Sequence, residues 1–91
     1  MAQIYIKLKI MPEDIEVNLE NLQVEIKKVI EHFKGTVDSF QTEDVAFGLK
    51  AIIAQFMVED TETDTDVVDD NLRNVEGVGS VQVIDIRRAL G

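Results

Sequence analysis

Residues 36–58 read TVDSFQTEDVAFGLKAIIAQFMV. The stretch has no proline, is rich in β-branched and aromatic residues, and is too long for one strand of ordinary length. Glu43 and Asp44 mark the break, and Gly48 permits a bend close by. The segment therefore reads as two antiparallel strands, about 37–43 and 48–58. Asp38, Ser39, Gln41 and Thr42 are mostly polar and suit a sheet edge. The second strand is apolar on both sides, with Leu49, Ala51 and Ile53 against Ile52, Phe56 and Val58. That pattern suits a central strand with helices over one face.

Working upstream, Leu19, Leu22, Ile26, Val29, Ile30 and Phe33 recur at helical spacing and predict a helix over about 18–34. Asn18 is placed to cap its start and Gly35 to stop it. Before it, Ile4, Ile6, Leu8 and Ile10 alternate with Gln3, Tyr5, Lys7 and Lys9, the period of a half-buried strand that Pro12 ends. Downstream, Val68, Leu72 and Val75 form a narrow apolar stripe and predict a second helix over about 64–75. Thr63 and Asp66 resemble a capping box there, and Gly77 and Gly79 end the helix. Val81, Val83, Ile84 and Ile86 make a last strand. Strand, helix, strand, strand, helix, strand is the split βαβ order of an α+β, ferredoxin-like sandwich. Right-handed crossovers put both helices on one face of a four-stranded antiparallel sheet. This architecture hosts many activities, so function has to be read from particular residues.

Composition removes several classes of function. The 91 residues include no cysteine, which excludes disulfides, thiolate catalysis and cysteine-ligated metals and fits a cytosolic protein. Eighteen acidic residues against nine basic ones give a net charge of −9, opposed to a phosphate backbone and suited to a basic protein surface. Lys7 and Lys9 interrupt the early apolar stretch, so no secretory leader is expected. No run approaches the roughly 18 apolar residues of a membrane span.

Catalytic constellations are equally scarce. His32 sits in the last turn of the first helix, where the helix dipole favours imidazole, and no serine or cysteine partner is evident. The run from Glu59 to Asp66 offers many carboxylates, but counting an EF-hand from Asp60 puts Thr65 and Asn71 where glycine and glutamate are required. No metal or cofactor is therefore expected. Neither phosphate-binding glycine motif is present. Tyr5, Phe40, Phe47 and Phe56 are too thinly spread, in too negative a field, to stack RNA bases. Phe47 stands apart, beside Gly48 at the predicted hairpin. It reads equally as an exposed contact residue or as a cap on the end of the core.

Four segments carry a family resemblance: Asn18-Leu19-Glu20, Val45-Ala46-Phe47-Gly48-Leu49-Lys50-Ala51-Ile52, Val58-Glu59-Asp60, and Val81-Gln82-Val83-Ile84-Asp85-Ile86. In order and spacing the chain resembles the guanine-nucleotide-exchange domains of elongation factor one-beta, the archaeal ones most closely. The resemblance covers essentially the whole chain and implies that residues 1–91 form a single exchange domain. It implies a cytoplasmic factor, expected to be a monomer, that promotes GDP release and GTP reloading on the GTPase elongation factor one-alpha. It implies no covalent chemistry, cofactor, direct nucleic-acid contact or membrane. In the eukaryotic relatives a phenylalanine matching Phe47 enters a pocket of the GTPase, which makes Ala46, Phe47 and Gly48 the expected contact. A lysine near the C-terminus of those relatives reaches the magnesium site. This chain ends Ile86-Arg87-Arg88-Ala89-Leu90-Gly91 without it, so Arg87 and Arg88, several residues early, are the candidates for that charge. The competing expectation is a ligand-sensing regulatory domain of the same topology, dimeric through its sheet edges. An acylphosphatase is disfavoured, because the loop Met11-Pro12-Glu13-Asp14 would repel phosphate.

Overall fold

The alternation of residues 4–10 is realised as strand β1 (Gln3–Pro12) in a computed structural model that describes residues 3–59 and 65–89. Helix α1 (Leu19–His32), strands β2 (Thr36–Asp44) and β3 (Lys50–Glu59), helix α2 (Thr65–Arg73) and strand β4 (Val78–Ala89) follow. All strand pairs are antiparallel, in the order β2-β3-β1-β4, so β1 and β3 are central. This is the expected ferredoxin-like sandwich.

Register explains the burial. Ile4, Ile6, Leu8 and Ile10 face the same side as their partners Val58, Phe56, Ala54 and Ile52. All are buried against Leu22, Ile26 and Ile30 of α1 and Val68 and Leu72 of α2. Arg73 ties α2 to the sheet: its Nη2 donates to the Val81 carbonyl at 2.7 Å while its Nε pairs with Asp69 at 2.9 Å. Among the described residues, no helix covers the other sheet face. There Tyr5, Lys7, Gln55, Asp85 and Arg87 lie around a depression of about 420 Å³.

Asn18 caps α1 as expected, its Oδ1 accepting from the Asn21 N–H at 3.1 Å. The stop is different. Lys34, not Gly35, takes the left-handed conformation, with φ of 61°. The Lys34 N–H donates to the Glu31 carbonyl and the Gly35 N–H to the Ile30 carbonyl, the two bonds of a Schellman motif. Gly35 is small for another reason: a Cβ there would lie 2.7 Å from an Ile30 methyl.

The last strand also departs from expectation. It begins at Val78, and Gly79 lies within it, where a Cβ would come 2.9 Å from the Pro12 carbonyl oxygen; only Gly77, at φ of 95°, turns the chain after α2. Opposite Leu8 and Lys7 the β4 partners are Val83 and Asp85, leaving Ile84 as an extra residue. This bulge is why Val83, Ile84 and Ile86 do not alternate. The expected capping box at Thr63, the acidic residues 60–64, and Leu90 and Gly91 lie outside the described residues.

Candidate contact surface

The β2–β3 hairpin closes through Val45-Ala46-Phe47-Gly48-Leu49. The Leu49 N–H donates to the Ala46 carbonyl at 3.2 Å and the Val45 N–H to the Leu49 carbonyl at 2.8 Å. Phe47 has φ of 61° and Gly48 φ of 79°. Two successive positive φ values inside an i→i+3 bond are the signature of a type I′ turn, which suits right-twisted strands and favours Asn-Gly, Asp-Gly or Gly-Gly. Gly48 fits this rule and Phe47 does not. A bulky side chain in the left-handed region costs roughly 1–2 kcal/mol, and here burial does not offset it, because Phe47 is 96% exposed. The open alternative at Phe47 is thus decided: the ring does not cap the core. Ala46 and Gly48 beside it are exposed as well.

Arg87 and Arg88 are placed elsewhere. Arg87 pairs across the sheet with Tyr5, and Arg88 with Ile4. Successive strand residues point to opposite faces, so Arg87 lies on the open face and Arg88 on the helix face. Arg87 Nε bonds Asp85 Oδ2 at 2.9 Å, and the Arg87 side chain remains 78% exposed. The run from Ile4 to Ile10 covers about 20 Å at ~3.4 Å per residue, and the hairpin tip lies past its far end. The structure therefore does not bring the arginines to Phe47; the two groups occupy opposite ends of the sheet.

Reading the sequence missed Ile15. It sits in the turn between β1 and α1, where the Glu16 N–H donates to Asp14 Oδ1 at 2.8 Å and the Val17 N–H to the Asp14 carbonyl at 3.4 Å. Ile15 is 68% exposed, and one of its methyls lies 3.9 Å from where a Cβ on Gly48 would be. The signal available was a lone apolar residue inside the acidic turn Glu13-Asp14-Ile15-Glu16. His32 is exposed and meets Phe33 edge-on, with ring centroids 5.1 Å apart. Among the described residues no group of three or more histidines or carboxylates is arranged to hold a metal, and no helix is long and apolar enough to cross a membrane.

Fold and surface together define a small acidic ferredoxin-like module that offers an aromatic side chain on a tight turn. The sequence profile described as "EF-1 guanine nucleotide exchange domain" matches residues 5–89. Elongation factor 1-beta of Staphylothermus marinus is 39% identical over 90 residues, covering 97% of this chain and 98% of that one. Elongation factor 1-beta of Methanothermobacter thermautotrophicus is 35% identical over 91 residues, covering 99% and 100%. The chain belongs to the EF-1 guanine nucleotide exchange domain family. Among solved structures, the ACT domain from GTP pyrophosphokinase of Chlorobium tepidum superposes with a TM-score of 0.63 at 21% identity, over 90% of this chain and 99% of that one. The C-terminal domain of the MgtC protein from Mycobacterium tuberculosis gives 0.66 at 15%, over 96% and 87%. These two likenesses describe the fold alone.

Proposed function

We propose that residues 1–91 act as one exchange domain that promotes GDP release and GTP reloading on elongation factor 1-alpha. The chain works as a cytoplasmic monomer, without cofactor, covalent chemistry, membrane or direct nucleic-acid contact. The observation that carries the reading is Phe47, an apolar ring fully presented to solvent on a turn whose conformation it disfavours. Family membership supports the exchange activity, and the ring supports where the partner is met.

The physics is linkage. A protein that binds the empty GTPase more tightly than the nucleotide-bound one weakens nucleotide binding by the same factor. The GTPase holds its nucleotide through phosphate and Mg²⁺ contacts, so a side chain that deforms that cradle suffices. Magnitudes limit what one residue does. A thousandfold faster release requires about 4 kcal/mol, whereas burying one phenylalanine contributes about 1.5–3 kcal/mol. Phe47 therefore needs help from further contacts, and Arg87 and Arg88, exposed at the opposite end of the sheet, are the candidates for it.

The test is stopped-flow release of a fluorescent GDP analogue from the cognate elongation factor 1-alpha. Phe47→Ala is expected to keep the fold and to slow release about tenfold or more. Release as fast as with the wild type, from a variant with an unchanged circular-dichroism spectrum, would remove Phe47 from the contact.

A further inference from the structure

The geometry points to a two-pronged tip: Ile15 and Phe47 together enter an apolar slot on the partner whose rim is basic. This deepens the exchange reading and rests on it. Ile15 and Phe47 belong to turns far apart in sequence, each closed by its own hydrogen bonds, and each places an apolar side chain where polar residues are the rule. Their arrival at one end of the sheet is a tertiary result. β1 and β3 pair from Gln3↔Glu59 to Ile10↔Ile52, so the chain leaving β1 and the chain entering β3 emerge at the same sheet end. An Ile15 methyl lies 3.9 Å from where a Cβ on Gly48, the neighbour of Phe47, would be. Adjacent exposed apolar groups on a small, highly charged protein mark a contact surface.

The surroundings define the occupant. Asp14 and Glu16 flank Ile15, and Glu43 and Asp44 precede the Phe47 turn; all four are exposed. Two basic residues lie beside them: Lys50, the cross-strand partner of Asp44, and Lys9, whose Nζ is 3.9 Å from Glu43 Oε2. An apolar centre with a carboxylate rim fits a slot bordered by lysine and arginine. An acidic border would oppose these carboxylates, and a neutral one would desolvate them without a new opposite charge. The rim also steers encounter, since exposed charges act mainly on the association rate and are screened by salt.

The experiment measures GDP release from the cognate elongation factor 1-alpha as a function of exchange-factor concentration, for wild type, Ile15→Ser, Phe47→Ala and the double variant Glu16→Gln/Asp44→Asn. Ile15→Ser removes apolar bulk from an exposed position and leaves the core intact. It is expected to raise the half-saturating concentration about tenfold. In the charge variant, association should be slower at low salt and should depend less on ionic strength than in the wild type. Loss with Phe47→Ala but none with Ile15→Ser overturns the second prong while leaving the exchange reading intact. Identical salt dependence in wild type and charge variant overturns the basic rim. If neither apolar substitution matters, the tip is not the contact, and both the proposal and the placement of the partner fall.

Discussion

Phe47 and Lys34 are the two non-glycine residues with positive φ among those described, and they differ in kind. Lys34 closes α1 in a Schellman motif at the surface, a position that glycine would fill as well or better. Phe47 occupies a turn position that asparagine or glycine fills at lower cost, and its ring packs on nothing that would compensate. Conformational strain at an exposed aromatic points to selection for contact rather than for stability. Phe47→Asn should stabilise the fold by roughly 1 kcal/mol, a Tm rise of about 4–8 °C for a domain of this size, while slowing GDP release as Phe47→Ala does. A fall in Tm would show that the ring contributes to folding, contrary to its exposure.

Helix α2 shows the dependence of an element on its neighbours. It runs only from Thr65 to Arg73, too short to hold together in water by itself. Its stability comes from Val68 and Leu72, both fully buried against the sheet, and from the Arg73 bond to the Val81 carbonyl. Leu72→Ala is therefore expected to cost about 2–5 kcal/mol. Urea unfolding should show this as a lower midpoint with an unchanged slope. A change below about 1 kcal/mol would mean that α2 is dispensable to the core. β4 carries a comparable lesson. Its bulge at Ile84 and the close approach of Gly79 to Pro12 twist an edge strand that would otherwise present a long flat row of unpaired groups.

At the scale of the whole molecule, the candidate contact residues divide between two ends of one sheet. The hairpin tip holds Phe47 and Ile15, and the far end holds Arg87 and Arg88. A partner that meets both ends has to span the sheet's length. Arg87→Ala with Arg88→Ala is expected to reduce exchange without loss of fold, since both side chains are exposed. Combined with Phe47→Ala, the losses should multiply, because sites this far apart with no shared partners act independently. Full exchange in the arginine double variant would assign that pair to surface solubility.

The secondary structure and the family were legible in the chain itself. Period two in Ile4–Ile10 and the helical spacing from Leu19 to Phe33 are direct imprints of which side of each element is buried. The same reading singled out Phe47 and stopped there. It could not say whether the ring faced in or out, that Ile15 reached the same turn at Gly48, that Ile84 was a bulge, or that Lys34 rather than Gly35 took the left-handed turn. Those depend on strand register and on what meets at a sheet end, set by contacts between residues distant in sequence. A turn residue has no periodic neighbours to reveal its surroundings, so its environment became visible only when β1 and β3 were paired and the two turns were carried to the same end of the sheet.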